Sequence, residues 1–275
     1  MSKNFNEDSR VKLPALMHLH SLGYRYISSK ELVANSSYDI DTNVITDLFS
    51  SKIAELNPGI ASQEIKLLIE KIKIALDNND LGREFYQILT AVSGVKLIDF
   101  DNPSNNDFAC TTEYTCKNGE DEFRPDITLL VNGMPLAFIE VKKPNNRKGI
   151  LDERDRINTR FQNRKFRRFL NISQVLVFSN NMEYDSESIV PIEGAFYCTT
   201  TNKNAVFNCF REKDENFYQS FPYTNVDTNT ENIILKDNNA EVVKHTPEYK
   251  TNRSVNKPTN RIITSLFSQD RFLFR

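Results

Sequence analysis

The 275-residue sequence contains no tryptophan and only eight glycines, at positions 23, 59, 82, 94, 119, 133, 149 and 194. No two of them are close neighbours. Neither G-x-G-x-x-G nor G-x-x-x-x-G-K-[ST] can be written from those positions, which excludes a P-loop and the usual dinucleotide-binding turn. The four cysteines, Cys110, Cys116, Cys198 and Cys209, lack C-x-x-C spacing. That excludes the common zinc frameworks and fits reduced structural thiols in a cytoplasmic protein. No apolar run approaches the ~20 residues of a membrane span, so no membrane contact is expected. The opening MSKNFNEDSR is polar and mixed in charge, unlike a secretory signal. An excess of one charge is missing too: the formal net charge is -2 and the pI about 6.0, so any basic surface must arise from local clustering.

What is present is an ordinary balance of 39% hydrophobic and 26% charged residues, enough for one large core or two small ones. The first ninety or so residues carry helical periodicity. Val11 to Leu22 is stopped by Gly23, ITDLFSSKIAEL ends at Asn57-Pro58-Gly59, IKLLIEKIKIAL has one apolar stripe, and LGREFYQILTAV ends at Ser93-Gly94. The period then changes to two. VKLIDF (95–100) and FACTTEYTCK (108–117) read as strands, and DITLLV and LAFIEVK as two strands joined through Asn132-Gly133. A charged helix is predicted over about 150–169. QVLVFS and GAFYCTT follow as strands, the first apolar enough to be buried on both faces. This order predicts an α+β fold, a mixed sheet with helices packed on it. Three regions are expected: a helical N-terminal region (1–94), a core (95–223) and a C-terminal segment (224–275). Residues 224 to 260 are rich in Asn, Thr and Lys and read as a linker or weakly structured excursion. RIITSLFSQDRFLFR is apolar and predicted helical. It has no cap or stop signal and is expected to lead into further chain.

The stretch that carries chemistry is RPDITLLVNGMPLAFIEVKKP, from Arg124 to Pro144. Residues i and i+2 of a strand share a face, so Glu140 and Lys142 point one way and Val141 the other. Asp126 joins them if paired positions of the hairpin sum to 266, a register that a three-residue connection 132–134 would give. An odd sum throws Asp126 to the opposite face. In the first case two carboxylates and an ammonium converge. Two carboxylate oxygens plus waters suit a hard octahedral cation such as Mg²⁺, which lowers the pKa of a bound water and neutralises phosphoryl charge. Lys142 would orient that water and stabilise the transition state, or act as a base if its pKa were lowered. A solvated face with a cross-strand ion pair uses the same residues. The otherwise apolar strand around Glu140 argues against it.

From Arg147 to Arg168 stand nine basic residues against Asp152, Glu153 and Asp155, about +6 in a chain of net -2. Asp/Glu–Arg pairs at helical spacing account for the first half. From Arg160 to Arg168 no acid in the sequence compensates, which favours a surface that tracks phosphates. Ile157, Phe161 and Phe169 would form the buried side of this helix. His18 and His20 are two apart, the wrong spacing for a metal pair on a helix.

Asp126, Glu140-x-Lys142 and a following helix with Gln162 resemble the PD-(D/E)xK nuclease superfamily, in the branch with Gln-x-x-x-Tyr on that helix; here Phe166 replaces the Tyr. RPDITLLVNGMPLAFIEVKKPNN resembles more specifically the N-terminal nuclease part of type I restriction enzyme R subunits. VKLPALMHLHSLGYRYI, FYQILTAVSGVKL and QVLVFSNN extend the likeness, and RIITSLFSQDRFLF resembles the lead-in to their motor domains. The resemblance implies Mg²⁺-dependent cleavage of double-stranded DNA. Asp126 and Glu140 would hold the metal and Lys142 would serve the attacking water. Gln162, Arg160, Arg164, Lys165, Arg167 and Arg168 would lie along the DNA. Glu84 is a candidate for the acidic residue that many members add from a preceding helix. The resemblance also implies an ATP-driven translocase in the parent subunit, and methylation (M) and specificity (S) subunits as partners. A stand-alone repair or defence nuclease and a non-catalytic DNA-binding or assembly module are the alternatives.

Overall fold

The computed structural model describes residues 7–34, 38–118, 121–144, 146, 148–184, 187, 193–200, 204–214 and 216–273. Near the start of the described residues a five-residue π-helical turn, Asp8–Lys12, runs into α1 (Leu13–Ser21). A two-residue strand β1 (Arg25–Tyr26) precedes α2 (Ser29–Ala34), α3 (Thr46–Leu56), α4 (Ser62–Leu76) and α5 (Arg83–Leu89). Then come β2 (Phe108–Thr112), β3 (Cys116–Asn118), β4 (Asp121–Phe123), β5 (Ile127–Val131) and β6 (Met134–Val141). The helices α6 (Gly149–Gln162) and α7 (Arg167–Ile172) separate these from β7 (Val175–Ser179) and β8 (Ala195–Thr199). The chain continues through α8 (Phe217–Ser220), α9 (Thr228–Asp237), α10 (Pro247–Asn252), α11 (Pro258–Phe267) and α12 (Gln269–Phe272).

Six strands form one mixed sheet in the order β1-β2-β5-β6-β7-β8, and β3 pairs with β4 in a separate ribbon. The β1–β2 and β6–β7 pairs are parallel and the others antiparallel. The predicted mixed sheet flanked by helices is the observed fold. Every residue of β2, β5 and β6 is buried, because helices cover both faces. Ile127, Leu129, Val131, Ile139 and Val141 face a core shared with α1, α3, α4, α5 and α11. Leu130, Phe138, Leu176 and Phe178 face a second core shared with α6 and α7, where Phe138 stacks on Phe169 at 5.5 Å between ring centroids.

Four expectations are corrected. VKLIDF is not a strand: its backbone groups are taken by side chains. Asn57 Oδ1 accepts from Lys96 N, Asn106 Oδ1 from Asp99 N, and Leu97 O from Asn132 Nδ2. FACTTEYTCK is interrupted after Thr112, where Glu113 adopts φ 52°. The charged helix does not run through 169. Asn163 leaves helical geometry and its side chain accepts from Lys165 N, so α6 stops at Gln162 and a 3₁₀ turn, Arg164–Phe166, leads into α7. Finally, the stretch 224–260 is no excursion. Asp227 caps α9 and Thr246 caps α10. Ile234, Leu235, Val243 and Tyr249 enter the first core. With Ala240, these few apolar anchors suffice there, and Asn and Thr serve as caps and backbone partners.

His18 is buried between α1 and α11 with Nε2 2.7 Å from Thr264 Oγ1. Burial pushes its pKa down to about 3 from 6.5. The folded state therefore holds it neutral. That stability is complete above 6.5 and is lost as pH falls toward the folded value, by up to about 1.4 kcal/mol per pH unit. Urea unfolding between roughly pH 6.5 and 4.5 is expected to show a shallower acid loss for His18→Gln than for the wild type, by up to one proton's worth. Identical slopes would refute the assignment.

Candidate active site

The site is built at one end of the β5–β6 hairpin. Asn132 (φ 52°) and Gly133 (φ 78°) form its tip, both left-handed, as a two-residue turn requires. A Cβ on Gly133 would meet Ile45 O and Phe49 N at 2.8 Å, so glycine also allows the tip to seat against the start of α3. The connection is therefore two residues, not three, and near the tip the paired positions sum to 265, as in Val131↔Met134 and Leu130↔Pro135. A bulge at Leu136 then shifts the register, and Leu129↔Ala137 through Ile127↔Ile139 sum to 266. The register that the site needs is reached by a different route.

Asp126 lies just past the paired end of β5, after Pro125, which has no N–H to continue the ladder. Its Oδ2 accepts from Val141 N at 2.8 Å and so replaces a strand carbonyl. Glu140 and Lys142 share its face of the sheet, toward α6. Asp126 and Glu140 are close enough for their carboxyl groups to interact directly. Lys142 Nζ lies 2.9 Å from Val141 O, 3.3 Å from Glu153 Oε2 and 3.8 Å from Glu140 Oε2. The Glu140 side chain is 7% exposed, and its Oε1 has no hydrogen-bond partner among the described residues.

The electrostatics are those of crowded, desolvated acids. Burial, then the charges of Asp126 and Glu153, push the Glu140 pKa well above its ordinary value. Burial raises that of Asp126 as well, opposed by the Val141 N–H and by Lys142. For Lys142, burial acts to lower the pKa, but Glu153, Glu140 and Asp126 together outweigh it and the net shift is upward. Lys142 is thus held as an ammonium, the reverse of the lowering that a base would need.

Two residues at the site were not foreseen. Glu7 precedes the π-helical turn. Its carboxylate takes a hydrogen bond from the Lys143 backbone and feels Lys142 and Asp126, while burial raises its pKa. Nothing in the polar N-terminal sequence marks it. Glu153, read as a helix-surface partner, is 2% exposed and faces the sheet. It shares a helical stripe with Ile150 and Ile157, and that spacing is a signal the sequence does carry.

Other expected residues lie elsewhere. Glu84 is exposed on α5, bonded to Asn78 Nδ2, and is not among the leading charges that act on Asp126, Glu140 or Lys142. Gln162 is exposed at the end of α6, and the break at Asn163 removes the one-turn relation to Phe166. The basic run is compensated from other parts of the chain. Arg168 binds Asp77 and Asp41 at 2.6 Å each, Arg167 donates to Asp77 O, and Arg160 pairs with Glu153 while its guanidinium lies 3.7 Å from the centre of the Phe123 ring. Sequence distance hid Asp41 and Asp77, whereas Glu153 lies within the run itself. Arg164 and Lys165 are exposed on the 3₁₀ turn, and Arg147 lies outside the described residues.

Among the described residues no group of three or more His, Cys, Asp or Glu side chains is placed to hold a metal ion. A cation here would draw on Asp126 and Glu140, with waters completing its shell. The donors fit: two hard oxygen ligands, mutually repelled, one with a buried oxygen that lacks a partner. A cleft of about 590 Å³ lies at the opposite end of these strands, lined by Leu136, Val175 and Phe272, and contains none of the site residues.

A mixed sheet flanked by helices, with two acids and a lysine at the end of its central hairpin, is an α+β nuclease-like fold. Residues 4–186 match the model of the Type I restriction enzyme R protein N terminus family, and the chain belongs to that family. It is 29% identical over 202 residues, 65% of its length, to a Methanocaldococcus jannaschii protein named as a type I restriction enzyme MjaIXP endonuclease subunit. It is 26% identical over 160 residues, 50% of its length, to the HindI endonuclease subunit of Haemophilus influenzae. A second M. jannaschii protein, named as the MjaVIIIP endonuclease subunit, is 25% identical across 92% of the chain. The chain spans only 19%, 15% and 25% of these three relatives.

Because both site acids have raised folded-state pKa values, their ionisation opposes folding. The stability they lend is fullest below the ordinary values and is lost as pH rises through the folded ones. Glu140→Gln is expected to raise the melting temperature in chelator-treated buffer at pH 7, by roughly 2 °C per kcal/mol of strain relieved. A lower melting temperature would contradict this account.

Proposed function

We propose that the chain is the DNA-cleaving domain of a type I restriction R subunit and hydrolyses phosphodiester bonds of duplex DNA with Mg²⁺. The observation that carries this reading is the convergence of Asp126, Glu140 and Lys142 on one face at the end of the hairpin. When bound, Mg²⁺ would supply Lewis-acid chemistry at the phosphoryl group. Asp126 and Glu140 would hold that ion, whose charge would offset their mutual repulsion and the cost of their burial. Lys142 keeps its proton. Its ammonium orients the attacking water and offsets the negative charge on the non-bridging oxygens as the water oxygen bonds to phosphorus and the P–O bond to the leaving oxygen breaks, with the water's proton passing to solvent and the leaving oxygen taking one from solvent. The exposed Arg164 and Lys165, with Arg160 beside the site, track the DNA backbone. Gln162 and Glu84 have no part in the reading.

The relatives' names, as endonuclease subunits of type I restriction enzymes, support the assignment. On that basis the parent protein couples cleavage to ATP-driven translocation, works with M and S subunits, and is cytoplasmic. No helix among the described residues is long and apolar enough to cross a membrane.

In the full-length subunit assembled in its restriction complex, Asp126→Ala and Lys142→Ala are each expected to reduce cleavage of unmethylated circular DNA by roughly 100-fold or more. Undiminished cleavage in both would remove the site and favour a binding or assembly module. Arg164→Ala is expected to weaken DNA binding and to reduce the salt slope of the binding constant by about 1. An unchanged slope would take Arg164 off the DNA.

A further inference from the structure

Two groups in the cluster, Glu7 and Glu153, have no part in the chemistry above, and Glu153 is the one within ion-pair distance of Lys142. Glu153 sits in the second turn of α6, 2% exposed. Its Oε2 lies 3.3 Å from Lys142 Nζ and 3.2 Å from Arg156 Nη1, and its Oε1 lies 3.3 Å from Arg160 Nη1. A carboxylate that merely paired with arginines along a helix would sit in solvent, because such pairs contribute little and burial costs several kcal/mol per ion. This one points at the sheet and is closer to Lys142 than Glu140 is, at 3.3 against 3.8 Å. Lysine is a point charge on a flexible stem with roughly 2 kcal/mol of rotamer entropy, so its place must be set by its partners. Val141 O, on its own strand, fixes one direction. Among the described groups within ion-pair distance of Lys142, only Glu153 reaches it from the helix layer.

We propose that Glu153 is the positioning residue for Lys142: from α6 it holds the ammonium beside the Asp126–Glu140 carboxylates, and Arg156 and Arg160 in turn hold Glu153. The assignment rests on the nuclease reading for what Lys142 does, but the contact itself can be tested without cleavage.

In the 275-residue chain with ¹⁵N-labelled lysine, the Lys142 ammonium signal is identified by its loss in Lys142→Arg. It is expected to be resolved in the wild type and to broaden or shift in Glu153→Gln. The remaining lysine signals report whether the chain is folded, and Glu153→Asp, which keeps the charge one methylene shorter, serves if Glu153→Gln unfolds. An unchanged Lys142 signal overturns the proposal. In single-turnover cleavage by the full-length subunit, Glu153→Gln is expected to lower the rate constant about tenfold or more. The half-saturating DNA concentration should change far less, and Glu153→Asp should recover part of the rate. In the Lys142→Ala background, Glu153→Gln is expected to add less than about twofold, because the two act as a unit. An equal loss in both backgrounds also overturns the proposal. Where Lys142→Ala leaves no measurable rate, the ammonium spectrum decides. Wild-type cleavage by Lys142→Ala would instead defeat the nuclease reading and leave the spectral test of the contact intact.

Discussion

The site depends on a single residue of register. The left-handed pair Asn132-Gly133 closes the β5–β6 hairpin in a sum-265 pairing, which, continued, would set Asp126 on the face opposite Glu140. The extra residue, Leu136, restores the parity. Its carbonyl accepts from Gln174 N at 2.6 Å, and its neighbour Pro135 has no N–H to extend the first register. Burial fixes the outcome. With all eight residues of β6 buried, a slip would drive Glu140 into the apolar core of α1 and α4 and turn Val141 toward the charge cluster.

That constraint explains why so many charges can be kept inside. Each buried ion costs several kcal/mol, and a carboxylate pair adds mutual repulsion. Lys142 answers Glu140 and Glu153, Arg160 answers Glu153, and the Val141 N–H answers Asp126. The compensation stops at Glu140 Oε1, which is buried without a partner. A cation of small radius and high charge density would complete it. Stability is surrendered at the place where a ligand would recover it.

How much of this was legible in the sequence follows from where each signal lives. Period-two runs and Asn132-Gly133 mark the hairpin because strand pattern and turn chemistry are local. The even parity of Asp126 and Glu140 was available as a condition, not as a fact: a two-residue turn with a bulge and a three-residue turn give the same parity. Arg168 looked uncompensated because Asp41 and Asp77 lie 127 and 91 residues away. VKLIDF looked like a strand because its apolar residues recur and pack against the core, while Asn57, Asn106 and Asn132 take the backbone groups a strand would use. Glu153 was visible in part: positions 150, 153 and 157 form one helical stripe, and a charge within an apolar stripe marks a buried partner.

The C-terminal helices bear on the same site through hydrogen bonds rather than charges. Lys142 N donates to Ser179 O at 2.8 Å, which fixes the end of β6 to β7. Ser179 Oγ lies 2.7 Å from Thr259 Oγ1 and accepts from Asn181 N, and Asn181 Oδ1 accepts from Thr259 N at the start of α11. All three side chains are buried. The backbone that presents Lys142 is therefore tied, in two steps, to a helix more than a hundred residues later. Such networks hold only when every member is satisfied. Asn-rich sequence after Thr224, which looks featureless by hydrophobic periodicity, supplies polar partners of this kind. The start of α11 braces the sheet at the end where the site acids meet, and the hydrogen-bonding side chain of Thr259, which adds nothing to an apolar pattern, helps make the brace.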